Sequence, residues 1–139
     1  MIKTKPFYNL ALVIFIAALL LPAGCTAEDN HLLTISPKKA HTLIEEMTGD
    51  NNFVILDIRT PKEYKAGHIA NAELLDFYSQ TFVEKLKLLD KNKTYLIYCR
   101  SANRSGKTLK IIKDMGFKKV YNMDLGIKGW LKNEYQLIK

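Results

Sequence analysis

Two cysteines stand among 139 residues, and one of them lies where a fold would place a nucleophile. Cys99 follows the apolar run Thr94-Tyr95-Leu96-Ile97-Tyr98 and opens the polar stretch Arg100-Ser101-Ala102-Asn103-Arg104. A helical pattern begins near Ser105. A loop wrapped ahead of a helix N-terminus turns several unbonded N–H groups toward its own centre and so stabilises an anion. A thiolate is such an anion. Free cysteine titrates near about 8.5, and comparable positions bring it to about 3.5–7.5. A value near about 6.5 would lift the thiolate fraction at neutral pH from about 3% to about 75%. Cys99 therefore reads as an activated nucleophile that needs no histidine base. The bland alternative is an inert core cysteine at a strand end, and the two flanking arginines weigh against it.

The arginines point the same way. Of 21 basic residues only Arg59, Arg100 and Arg104 are arginine, two of them in this loop and the third after the other strongly apolar run. Guanidinium forks match oxyanions, so the loop suits a small anionic substrate. The lysines are scattered, with no basic stripe and no interleaved aromatics. The net charge of +7 thus describes a solvated surface, and nucleic acid is not expected as a partner.

The elements that must position Cys99 follow from patterning. Phe53-Val54-Ile55-Leu56 and Thr94 to Tyr98 are continuous apolar runs, as strands covered on both faces should be. His31 to Ile35 suits a first, edge strand. Ser36 offers an N-cap and Pro37 a first helical residue, with Ala40, Leu43, Ile44 and Met47 at helical spacing before Gly49. A helix is expected from Ser79 with Phe82, Val83, Leu86 and Leu89 on one side, and another from Ser105 to Met115. Lys119 to Asn122 gives a last short strand, followed by a helix carrying Trp130. Strands alternating with helices predict one α/β domain with a central parallel sheet and helices on both faces. In such sheets the ligand crevice lies at the carboxyl ends of the strands, where the Cys99 loop must sit.

At this point the sequence resembles a known family. Cys99-Arg100-Ser101-Ala102-Asn103-Arg104-Ser105 is similar to the active loop of rhodanese sulfurtransferases. Leu56 to Tyr64 and Gly67-His68-Ile69-Ala70-Asn71-Ala72 resemble that family's first signature, and Leu125 to Trp130 its closing Gly-to-Trp segment. The likeness runs over about residues 32–135, with the motifs in order. It implies a single rhodanese-like domain in which Cys99 takes the outer sulfur of thiosulfate or a related donor and becomes a persulfide. A thiol or cyanide acceptor then removes the sulfur. Arg100, Ser101, Ala102, Asn103, Arg104 and Ser105 are the implied substrate-binding residues, and Asp57 and Arg59 brace the site from behind. No cofactor or metal is implied. His68 is expected to be structural, His31 and His41 to lie at the surface, and Trp130 in the core. A non-catalytic rhodanese-like binding module is the rival reading.

Two other motifs come close and fail. Ser101 to Thr108 approaches a phosphate-binding loop, but serine stands where that motif needs glycine. A cysteine-dependent phosphatase would carry arginine where Ser105 stands, and Arg104 falls one residue short.

The first 24 residues read as an export signal. Lys3 and Lys5 precede an apolar run from Leu10 to Leu21, too short for a spanning helix, which takes about 20 residues. The run ends Leu21-Pro22-Ala23-Gly24-Cys25, resembling a bacterial lipoprotein signal with Cys25 as the lipid acceptor, although Pro22 departs from the usual aliphatic residue. Cleavage after Ala27 is the alternative. The expected organisation is a signal over 1–24, a tether over 25–31 and the domain over 32–139, lipid-anchored on the periplasmic side of a bacterial envelope.

Overall fold

The computed structural model describes residues 31–139, so the signal, Cys25 and most of the tether lie outside the described residues. Five strands, β1 (His31–Ile35), β2 (Phe53–Asp57), β3 (Ala72–Leu74), β4 (Thr94–Tyr98) and β5 (Lys119–Met123), form one sheet. All pairings are parallel, in the order β1-β5-β4-β2-β3. The expected parallel sheet is therefore present, with β1 on its edge.

Five helices cover it: α1 (Pro37–Glu46), α2 (Pro61–Ala66), α3 (Phe82–Leu88), α4 (Asn103–Ile112) and α5 (Gly126–Lys132). Side chains alternate across each strand. Leu56, Tyr95, Ile97 and Val120 therefore share one core with Phe82 and Leu86 of α3 and Ile112 of α4. Ile55, Leu96, Tyr98 and Met123 share the other with Ala40 of α1 and Ile127 and Trp130 of α5. Two filled faces explain why β2 and β4 read as unbroken apolar runs. Helix α1 starts as the sequence suggests, with Ser36 Oγ accepting the amide of Lys39 and Pro37 in its first turn.

Several boundaries differ from expectation. Helix α3 begins at Phe82, three residues after Ser79, whose carbonyl instead accepts the Phe82 amide in a turn. Helix α4 begins at Asn103, earlier than Ser105, and ends at Ile112. Helix α2 and strand β3 were not foreseen. His41 is not a free surface residue: its ring stacks on Tyr135 at 4.0 Å and lies 5.4 Å from Trp130. Trp130 is buried as expected, donating Nε1–H to Gln136 O. His68 is structural, stacked on Tyr64 at 3.7 Å and paired through its backbone with Ile138.

Candidate active site

Strand β4 delivers its last residue, Tyr98, to the carboxyl edge of the sheet, and Cys99 follows at once. The chain must then reverse into α4 within three residues. It does so through Ala102, which takes a left-handed conformation at φ 65 with no side-chain cap on the helix. This conformation costs a non-glycine residue about 1 kcal/mol or more, and the surrounding contacts hold it in place. The result is a tight cup of backbone. The amides of Ser101, Arg104 and Ser105 act on the Cys99 sulfur so as to favour its thiolate, and Ser105 Oγ–H donates to Sγ at 3.6 Å. Burial pushes the Cys99 thiol up, but these hydrogen bonds outweigh it and hold the thiol below its ordinary value. The cysteine that the sequence singles out thus lies among donors that favour its thiolate.

The cup is held from outside as well. At the start of α5 the amide of Ile127 donates to Cys99 O at 2.8 Å, and that of Lys128 to Arg100 O at 3.2 Å. The carbonyls of Cys99 and Arg100 therefore face α5. Gly126 permits this approach. It sits at φ 55, and a Cβ there would lie 2.3 Å from Cys99 O and 2.8 Å from Ser101 N. In the sequence Gly126 belongs to the Gly-to-Trp segment, which gives no sign of this close approach.

Behind the cup lies a buried polar group. Asp57 and Tyr98 are register partners on β2 and β4, and Tyr98 Oη–H donates to Asp57 Oδ2 at 2.7 Å. The Asp57 carboxylate also accepts the Arg59 amide, Nε–H and an Nη2–H bond of 2.6 Å. The same Arg59 nitrogen donates to Gly67 O. Asp57 is fully buried and Arg59 nearly so. Their charges are thus spent on each other and on the backbone, which suits bracing and leaves neither free for substrate.

In front of the sulfur opens a cleft of about 440 Å³ lined by Glu63, Tyr78, Cys99, Arg100, Ser101, Asn103 and Arg104. Cys99 itself is only 1% exposed, so it lies at the floor. Four of the six expected substrate-binding residues line this space. Ala102 and Ser105 do not: Ala102 turns the chain, and Ser105 is fully buried, facing Sγ from within the first turn of α4. Arg104 reaches the cleft already engaged, its two Nη groups bonded to Glu63 Oε2 and Oε1 at 2.8 and 2.7 Å. Arg104 holds the Glu63 carboxyl down to about 2. Glu63 is in turn fixed by a capping box with Thr60 at the start of α2. Glu63 and Tyr78 are the lining residues the sequence reading did not single out. Among the described residues, no group of three or more His, Cys, Asp or Glu could hold a metal ion.

Comparison with known proteins matches this arrangement to one family: the model of the Rhodanese-like domain covers residues 40–133. The chain belongs to the rhodanese family. A solved rhodanese-related protein from Thermoplasma volcanium superposes with a TM-score of 0.65 at 25% identity, over 76% of this chain and 96% of that one. Among curated relatives, the tRNA uridine(34) hydroxylase of Buchnera aphidicola subsp. Schizaphis graminum is 35% identical over 94 residues, covering 63% of this chain and 30% of the relative. The tRNA uridine(34) hydroxylase of Chlamydia felis is 32% identical over 115 residues, covering 78% and 34%. This rhodanese domain thus spans about a third of the length of the curated relatives it matches.

Proposed function

We propose that the protein is a sulfurtransferase. The observation that carries this reading is the Cys99 sulfur, lowered in pKa by a ring of amides and the Ser105 hydroxyl at the floor of an open cleft. The Cys99 thiolate attacks the outer sulfur of thiosulfate or a related donor. The donor's S–S bond breaks, and its electron pair leaves with sulfite. The sulfur stays on Cys99 as a persulfide, whose negative charge the same amides stabilise in the manner of an oxyanion hole. A thiolate or cyanide acceptor then attacks the outer sulfur and releases Cys99 as thiolate. No proton has to be moved by a side chain, which fits a cleft lined by no histidine. The test is the mass of Cys99 after exposure to thiosulfate: a gain of one sulfur atom, reversed by cyanide with release of thiocyanate, and absent in Cys99→Ser. If wild type and Cys99→Ser are equally unmodified and inactive with several donors, the domain is a binding module instead.

The relatives' tRNA reaction is not extended to this chain, which spans about a third of their length and whose lysines form no stripe along the sequence. We further propose export: cleavage before Cys25, lipidation of that residue, and a domain held outside the cytoplasm. Among the described residues no helix is long and apolar enough to cross a membrane. Mass spectrometry of membrane-extracted protein should find a diacylated N-terminal Cys25, and an unmodified Cys25 there would refute it.

A further inference from the structure

We propose that Glu63 sets the donor preference of the Cys99 cleft, favouring singly charged sulfane-sulfur donors over dianions such as thiosulfate. This rests on the sulfur-transfer reading above and adds the charge class of the donor.

The argument begins with the charges on the cleft wall. Arg100 and Arg104 bring two cations, and Glu63 brings one carboxylate, fixed in the same wall. Reactive Cys99 adds a second negative charge, so the site meets its donor with no formal net charge. The distribution is more telling than the total. Arginine grips an oxyanion with its planar fork of N–H donors. On Arg104 the end-on face of that fork is occupied, since each Nη gives one N–H to a Glu63 oxygen, and its charge is already paired. The carboxylate cannot swing away to release it, because Oε2 also accepts the Thr60 amide and hydroxyl, both at 3.0 Å. Arg100 is exposed and takes part in none of the ion pairs among the described residues. One open guanidinium thus faces the incoming donor, alongside one fixed carboxylate. A single negative charge is matched there, and a second one faces Glu63 without a partner. An additional unit of charge at about 6 Å in such a half-screened site is worth about tenfold in rate.

Thiosulfate and methanethiosulfonate form the discriminating pair. Each presents the same outer sulfur, on a dianion and a monoanion respectively. With the second donor the Cys99 thiolate forms the new S–S bond and the donor S–S bond breaks. The electron pair departs with methanesulfinate, so one thiolate and one thiosulfonate become one persulfide and one sulfinate. Persulfide formation is measured as kcat/KM for each donor, divided by that donor's uncatalysed rate with a small thiol. In wild type the normalised value should be about tenfold higher for methanethiosulfonate. Glu63→Gln should raise the thiosulfate value about tenfold and the methanethiosulfonate value much less, closing the gap. Glutamine also completes a capping box, so α2 keeps its start. The wild-type ratio gives a readout independent of the variant. A wild type that prefers thiosulfate, or a ratio unmoved by Glu63→Gln, overturns the inference while leaving sulfur transfer intact. If neither donor loads Cys99, the function reading falls and this inference with it.

Discussion

Replacing Asp57 with asparagine isolates what the buried group behind the loop contributes. Asparagine keeps the size but removes the charge, and it turns an N–H donor toward a site that now receives only donors. The Arg59 guanidinium would remain buried with neutral acceptors only, Gly67 O and the amide oxygen, and Tyr98 Oη would lose its 2.7 Å bond to a carboxylate. Breaking one side of a buried ion pair costs about 3–5 kcal/mol. At about 4 °C per kcal/mol for a domain of this size, the melting temperature should fall by about 12–20 °C. Urea denaturation should show the same loss as a lower midpoint with an unchanged slope. The double variant Asp57→Leu, Arg59→Met removes both charges together. It should cost clearly less than the two single changes added, because no orphan charge remains. A loss below about 1 kcal/mol for Asp57→Asn, or strict additivity in the double variant, would refute the view that this pair is a mutually dependent brace.

Three further outcomes are expected. Alkylation of Cys99 by iodoacetamide should follow a pH profile with its inflection below that of a free cysteine, and Ser105→Ala should move it upward by removing a donor to Sγ; an unmoved profile would dismiss the hydroxyl's contribution. Gly126→Ala drives a Cβ into the loop backbone and forces a left-handed alanine, so it should cost about 2 kcal/mol or more and lower thiocyanate formation as well. Unchanged melting and unchanged turnover would contradict that packing. The Glu63 carboxyl lies at about 2 against an ordinary 4.5, so its contribution to stability is complete above pH 4.5 and disappears as pH falls through about 2. The melting temperatures of wild type and Glu63→Gln should therefore converge across that acid window, and parallel curves would count against the pair.

The strands β2 and β4 and the cysteine loop between β4 and α4 are readable because their signals are local and strong. Unbroken apolar runs mark strands with two covered faces, and Ser36-Pro37 marks a helix start by side-chain chemistry. Helix α4 starts two residues ahead of its sequence pattern because its true start carries no capping side chain. Ala102 supplies a backbone angle instead, and alanine gives no hint of it. Strand β3 has three residues with one buried, too short for any period to register. Helix α2 buries no residue and is held by Thr60 and Glu63, a capping pair present in the sequence but easily passed over in so short a segment. What the sequence could not disclose is the second use of Glu63. Its partner Arg104 lies 41 residues away, and only folding puts the two beside the sulfur. Gly126 is a similar case, since its contact with the Cys99 carbonyl crosses from one strand–helix junction to the next.

In the cup the carbonyls of Cys99 and Arg100 point toward α5 and the amides of Ser101, Arg104 and Ser105 act on Cys99, an orientation fixed when the chain folds. It acts as an electrostatic mould already set before any donor arrives, so no dipole has to turn at the moment of reaction. A second sulfur on Cys99 would move the negative charge by one bond of about 2.0 Å, with the same donors still around it. The protein can therefore keep still while its reactive atom changes place. If Cys99 carries sulfur as proposed, one fixed set of dipoles would serve the thiolate and the persulfide in turn.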